Sequence, residues 1–439
     1  MENPFRGTPD KICATRGAIS WLAAAIDRSI TMERLWLYPS VILTISMLFL
    51  GGTILLGDYP RLAGGATAFP DYLAHWTGGR MLLDGDTSRF FDPAFQNALQ
   101  AREVGPNTLS WFVSPPFAAL LYAPFALLNF GASALLWTVF SACCLVAALW
   151  LMRPIAPNLF DMHLLMAVLL MVATQPVFEL LGSGQDSGLS LLLWIAGIRL
   201  MLARRDASAG VVFALGLFKP QQFLLVPIVL LVQRRFRALT AWLVATLVLA
   251  IASATIVGVS GVMDWLRLPF SDFYNTAVQI DQAWKMQSLP ALVSTALPRD
   301  WSGFASAIGI VVELIAVLVF IRQLLRAHGA AVPELPMWML AILVTVTASP
   351  HLVIYDLVLV LLPILYLLEH HNTRTVRVSC VALFALTWTV PFRHVVAMDS
   401  AWPVSLVEAA WTAVPLIVLW VVMARALGLT RTAARSAEV

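Results

Sequence analysis

Apolar runs and short charged connections alternate along almost the whole chain. Leu35 to Leu56, Ala132 to Met152, Leu239 to Val262 and Ser405 to Ala424 are each apolar over the roughly 20 residues that crossing ~30 Å of hydrocarbon requires. Weaker stretches complete a predicted series of twelve spans: 36–57, 131–152, 160–181, 187–203, 207–218, 221–233, 239–262, 302–321, 336–349, 352–368, 376–392 and 404–425. The pattern predicts an all-α polytopic membrane protein. Spans 207–218, 221–233 and 336–349 hold only 12, 13 and 14 residues, roughly 18 to 21 Å at 1.5 Å per residue. Helices this short are tolerated where their ends line a protein-enclosed, water-filled cavity. The turns after Phe218 and Ser349 should therefore lie below one membrane surface.

Charge decides how the runs are threaded. The segment from Trp111 to Phe130 is apolar but contains Pro115, Pro116 and Pro124. Counted as a span, it would put Arg153, Arg204, Arg205, Arg234, Arg235 and Arg237 outside, against the positive-inside bias. Treated as a proline-rich re-entrant segment buried against protein, it returns those arginines to the cytoplasm. Of 28 Lys and Arg, 19 then fall inside and 9 outside. The expected division is a cytoplasmic leader over residues 1–35, one integral membrane domain over 36–427 and a cytoplasmic tail over 428–439. Two long external loops, 58–110 and 263–301, would carry juxtamembrane helices. An inner-membrane protein with both termini cytoplasmic and any chemistry external follows.

Composition agrees and excludes rivals. Of 439 residues 60% are apolar and 12% charged, far from a soluble domain. The leader has basic residues but no short apolar stretch before a small-residue cleavage site, so it does not read as a signal peptide. The net charge of +3 comes from basic helix ends, which gives no reason to expect nucleic acid. Cys143 and Cys144 are adjacent in an apolar run, a poor basis for disulfides or a metal site. No Walker loop, dinucleotide fingerprint or zinc-ligand spacing occurs. No cofactor and no metal-ligand cluster is expected, the sequence leaves divalent-metal dependence open, and any activated donor would have to be a lipid-linked substrate.

The candidate chemistry sits in the predicted external turns. Pro70 can open a helix through Asp71, His75, Gly78, Gly79 and Arg80. Asp71 and His75 then share a stripe with two glycines that leave room for a ligand at the backbone. Asp71 could be a general base, or simply a helix cap, with His75 a surface residue. Asp92 and Pro93 signal a second helix, amphipathic through Phe95, Ala98, Leu99 and Arg102, expected to lie flat at a lipid entrance. Three further turns are polar: Gly182 to Ser187, including Gln185 and Asp186; Lys219 to Gln222; and Ser349 to His351, followed by Tyr355 and Asp356. A lysine at depth implies a partner such as phosphate, unless Lys219 snorkels to the headgroups. Asp186 reads as a helix N-cap. The aromatics of 263–301, among them Trp265, Phe273, Tyr274 and Trp284, suit an interfacial belt or a sugar platform.

Asp71 to Arg80, Phe91 to Ala94, Trp111 to Phe117, Gly184 to Leu189, Lys219 to Gln221, Arg234 to Ala238 and Ser349 to His351 with Tyr355-Asp356 occur in an order that resembles glycosyltransferase family 87. The resemblance implies the C-type glycosyltransferase fold and a polyprenyl-phosphate-sugar donor, with mannose favoured, moved to a lipid or polysaccharide acceptor with inversion. It implies Asp71 as catalytic base, and Lys219, His351, Gln185, His75, Arg80 and Tyr355 as residues that bind the donor phosphate or sugar. Val113 and Ser114, where relatives often have an aromatic before Pro115-Pro116, and Asp186, where asparagine is common, are departures that bear on sugar specificity. The rival readings are a transporter or lipid flippase, which should show internal repeats, and a non-catalytic scaffold of envelope assembly.

Overall fold

The computed structural model describes residues 10–106, 110–298, 301–330, 332–398 and 400–429. Among these there are no β-strands, only isolated antiparallel bridges at Arg61/Thr67 and Met286/Val353. The leader is helical as α1 (Asp10–Ser29), and α2 (Met32–Leu55) follows at once. The loop beyond carries α3 (Pro70–Asp84) and α4 (Pro93–Val104), each with proline at its start. The Asp92 carboxylate caps α4 by accepting from the Ala94 and Phe95 amides at 3.0 and 3.2 Å.

The proline-rich segment forms only the short helix α5 (Ala119–Ala126), which packs against α3 and leads into α6 (Phe130–Met152). Then come α7 (Pro157–Val172) and α8 (Gln175–Ser183), α9 (Ser187–Leu202) and α10 (Asp206–Leu215), then α11 (Pro220–Phe223) and α12 (Val226–Val232). The long α13 (Phe236–Arg267) ends the first half. The second half holds α14 (Leu289–Ala296), α15 (Ser302–Gly329), α16 (Glu334–Ala348), α17 (Leu361–His370), α18 (Arg374–Ala397) and α19 (Ala413–Ala426).

Among the described residues five helices, containing α2, α6, α13, α15 and α18, are long and apolar enough to cross a bilayer, and α7 with α8 makes a sixth as a bent pair. The remaining predicted spans coincide with shorter helices, so the structure gives a multi-pass membrane bundle without fixing twelve crossings. Several runs expected to be continuous are broken, two of them markedly. The 160–181 segment bends by 59° between α7 and α8, at the turn before Pro176. The 404–425 segment is a 3-10 turn over Val404–Glu408, then a non-helical connection before α19.

One end of the bundle is tied together by arginines and carboxylates. Arg235 bonds Glu334 at 2.7 Å and lies 3.3 Å from Asp206, Arg153 bonds Asp161 at 2.6 Å, and Glu369 accepts from the Asn158 amide at 3.1 Å. The leader docks here too, with Arg377 at the start of α18 held 2.7 Å from Asp27 on α1. The opposite end carries α3, α4, α8 and α14.

Close helix approach assembles that end. A Cβ on Gly79 would lie 2.8 Å from the Tyr122 carbonyl carbon, and one on Gly78 would lie within 3 Å of the Phe112 ring. The two glycines thus admit α5 and the Phe112 ring, rather than a ligand as the sequence suggested. The buried face of α4 also differs from expectation: it is Gln96, Gln100 and Val104. The glutamines lash the incoming chain, Gln96 accepting from the Phe112 amide at 2.8 Å and Gln100 from the Ser110 amide at 3.3 Å.

Candidate active site

Helix α3 is entered through Phe69, held in the left-handed region at φ 52°, a conformation bulky residues rarely take. It fixes Asp71 in the first turn, facing α8 and the turn that follows α16. The Asp71 Oδ2 atom is shielded from solvent and accepts no hydrogen bond among the described residues, although carboxylate oxygens enclosed by protein are normally satisfied. One turn on, the His75 ring stacks on Tyr122 of α5 with centroids 4.4 Å apart, and its Nε2 lies 3.7 Å from Asp186 Oδ2. Burial pushes the His75 imidazole below its ordinary value, although Asp186 pulls the other way.

The centre of the cluster is Lys219, in the turn between α10 and α11. Its Nζ lies 2.6 Å from Asp186 Oδ1 and donates to Asp356 Oδ1 and Ser187 Oγ, each at 2.9 Å, and to Gln185 Oε1 at 3.2 Å. An ammonium has three N–H groups, so none is left over. Lys219 therefore does not snorkel, and it faces no open pocket with a free charge. Ser187 Oγ in turn donates to Asp356 Oδ1 at 2.5 Å, and the Tyr122 hydroxyl donates to Asp186 Oδ2 at 2.6 Å. Asp186 occupies the N-cap position of α9 but makes no side-chain cap bond. Burial pushes its carboxyl up, but Lys219, His75 and Tyr122 together outweigh burial and hold it below the usual carboxylate range.

The turn after α16 closes the cluster. The ring of Tyr355 lies 4.9 Å from Lys219 Nζ. The turn is braced by the second long loop, where the Gln287 amide donates to the Leu352 carbonyl at 2.8 Å. His351 Nδ1 lies 3.4 Å from Gln279 Oε1, with Tyr274 beside it at 6.3 Å between rings. Burial pushes the His351 imidazole down to about 4, so the side chain is neutral at physiological pH and presents an N–H rather than a charge.

Of the residues singled out from sequence, Gln185, Lys219 and Tyr355 meet in one cluster, His75 borders it at Asp186, and Asp71 and His351 lie on neighbouring walls. Arg80 is not brought there: it pairs with Asp84 at 2.8 Å on a half-exposed face of α3. Sequence reasoning missed two contributors, Tyr122 and Glu179, and named Asp356 without giving it a role. Tyr122 carries no local signal. Asp356 bonds residues 137 and 169 positions away. Glu179, on α8, does carry a signal, as an acid inside an otherwise apolar run, which is by itself a mark of function in a membrane segment.

The sequence matches glycosyltransferase family 87 over residues 112–350, more than half of the chain. The chain belongs to glycosyltransferase family 87. Alpha-(1->3)-arabinofuranosyltransferases from two strains of Mycobacterium tuberculosis are each 28% identical to it over 259 residues, covering 52% of this chain and 58% of theirs. The chain thus spans less than two thirds of those relatives' length. No solved structure matches. The family match includes Tyr122, Glu179, Gln185, Asp186 and Lys219; Asp71 lies before it and His351, Tyr355 and Asp356 just after it. The chain is thus a multi-pass membrane member of family 87, and its cluster of buried polar groups at one bundle end is its candidate active site.

Proposed function

We propose that the protein is an inverting glycosyltransferase that moves a sugar from a polyprenyl-phosphate donor to a lipid or polysaccharide acceptor, with Asp71 as base. The observation that carries this reading is the enclosed, unpartnered Asp71 Oδ2 beside a polar cluster whose lysine, Lys219, is fully paired. Asp71 removes the proton of an acceptor hydroxyl. That oxygen attacks the anomeric carbon, and the bond to the phosphate oxygen breaks, its electron pair leaving with the polyprenyl phosphate. Positioned general-base help of this kind is worth about 10²- to 10⁴-fold.

Lys219 has a supporting part in this scheme. With two carboxylates in contact, it fixes the turns before α9, after α10 and after α16, which together form the floor of the site. His351, with Tyr274 beside it, is the candidate donor to the departing phosphate once its single N–H, directed at Gln279 Oε1 in this structure, turns to the bound donor, since hydrogen bonds placed where charge develops stabilise it. The positive-inside rule assigns an arginine-rich bundle end to the cytoplasm, which supports a site on the external face of the inner membrane.

The sugar is an open choice between two chemistries. The resemblance favoured mannose, whereas the curated relatives are named as arabinofuranosyltransferases. Membranes containing the protein, given radiolabelled polyprenyl-phosphate mannose and, in parallel, polyprenyl-phosphate arabinofuranose, should transfer label from one of them to extracted lipid or glycan. Transfer from neither donor would overturn the lipid-phosphate reading.

A further inference from the structure

Glu179 is a half-buried carboxylate near the site to which the transfer scheme gives no role. It stands on α8, the short helix that breaks from α7 and packs against α3 and against the turn carrying Tyr355. The fit is tight: Gly184, at φ +77° just past the end of α8, could carry no side chain, because a Cβ there would lie 2.5 Å from the Cβ of Tyr72. Tyr72 is the neighbour of Asp71 in the chain. The charges of Asp71 and of Glu179 both reach the Tyr355 hydroxyl, and that of Asp71 reaches Glu179 itself.

The carboxylate of Glu179 is held but not satisfied. Gln175 Nε2 donates to Oε2 over 3.4 Å, and Lys285 Nζ stands 4.0 Å from Oε1, beyond hydrogen-bond reach. A carboxylate offers about four acceptor sites, so most of its capacity is unspent. Gln175, Glu179 and Ser183 follow one another at intervals of four and so form a stripe along α8. Both flanking residues are more than nine-tenths buried, and Gln175 Oε1 and Ser183 Oγ have no partner among the described residues. An amide oxygen, a carboxylate and a hydroxyl in line, all underused, form a surface for a ligand with several hydroxyl groups. Outside the stripe, Trp284 is stacked on His394 at 4.2 Å and carries Lys285 over its ring at 5.2 Å, which adds an aromatic border.

We propose that the α8 stripe of Gln175, Glu179 and Ser183 is an acceptor-sugar subsite, in which Glu179 accepts a hydrogen bond from a hydroxyl next to the one that Asp71 deprotonates. This subsite rests on the transferase reading of Asp71 but makes a separate claim about sugar binding. Glu179 is its specificity-determining residue: an acceptor without the neighbouring hydroxyl leaves this carboxylate unpaired.

The test uses the full-length protein in lipid nanodiscs and a panel of two probes, octyl α-D-mannopyranoside and octyl α-D-arabinofuranoside. Equilibrium binding of each is followed by tryptophan fluorescence for wild type, Glu179→Gln, Glu179→Asp and Asp71→Asn, alongside transfer kinetics. Loss of one hydrogen bond to a charged group should weaken binding of the preferred probe by about 10- to 100-fold in Glu179→Gln. Its KM for that acceptor should rise while its KM for the donor holds. Glu179→Asp, which keeps the charge, should recover part of the loss and stands in if the glutamine variant does not fold. Asp71→Asn should bind the probe and fail to transfer. Glycoside binding that depends on Glu179 in a wild type that transfers nothing would uphold the subsite and sink the transferase reading. Equal binding by wild type and both Glu179 variants, or binding of neither probe by wild type, would overturn the subsite.

Discussion

Lys219 shows how a single buried residue sets the character of the site. A lysine placed in the apolar zone implies a partner, and here the partners are protein: Asp186, Asp356, Ser187 and Gln185. Removing one member of a buried ion pair leaves an uncompensated charge, at a cost of about 3–5 kcal/mol. Lys219→Met is therefore expected to lower the thermal unfolding midpoint in detergent sharply, and Lys219→Met combined with Asp186→Asn should recover part of the loss because the sites are coupled. An unchanged midpoint in the single variant would contradict the floor-forming role.

His351 makes a pH prediction of its own. Burial, with a smaller push from Lys219 and against the pull of Asp356, lowers its imidazole from 6.5 to about 4. The unfolded chain takes up a proton as pH falls through about 6.5, whereas the folded chain does so only near 4. Stability should thus decline as pH falls across this window, by at most ~1.4 kcal/mol per pH unit from this group. His351→Asn should flatten the decline measured by thermal unfolding between pH 7 and 4.5; an unaltered slope would place the sensitivity elsewhere.

At the scale of elements, the site depends on α3 lying close against α5. The obstacles to a Cβ at Gly79 are backbone atoms, Tyr122 carbonyl carbon at 2.8 Å and the Ala123 nitrogen at 2.9 Å, so no rotamer change can relieve the clash. Gly79→Ala should cost about 1–3 kcal/mol by forcing the helices apart. Gly51→Ala, in α2 with open space around it, should instead be neutral or gain roughly 0.5–1 kcal/mol from helix propensity. Midpoints for the pair of variants check this, and equal effects would refute the close-approach account.

Short-range chemistry was the readable part of these elements. Pro70, Pro93 and Asp92 marked the starts of α3 and α4 correctly because proline and the N-cap act within one turn. The break before α8 also had a local sign in Pro176, but it was outweighed by the continuous apolar run around it. Asp186 was misassigned because an aspartate before a helix looks like a cap, while its real partners, Lys219 and Tyr122, are 33 and 64 residues away. The role given to Gly78 and Gly79 failed for a similar reason: glycine announces a close approach, but not whether the visitor is a ligand or the next helix.

Across the whole molecule, the sequence told more about the solvent than about the site. Bilayer thickness and the cost of burying charge impose long apolar runs and arginine-rich ends, so a multi-pass helical bundle was legible from hydropathy alone. The number of crossings was not, since several helices are shorter than the bilayer is thick and rely on neighbours. The cluster joins residues from 75 to 356, and no local pattern could pair Asp356 with Ser187. Family membership, the helical bundle and the enclosed polar cluster are the three supports of the proposed lipid-linked glycosyl transfer.

Asp71 is where that account is most exposed. Transfer of labelled sugar from whichever polyprenyl-phosphate donor wild type uses should be compared in nanodiscs for wild type, Asp71→Asn and Asp71→Glu at matched folded protein. The expected result is a loss of at least about 100-fold in kcat for Asp71→Asn, with partial activity in Asp71→Glu. Transfer by Asp71→Asn at the wild-type rate would contradict the assignment of the base, and with it the mechanism built around it.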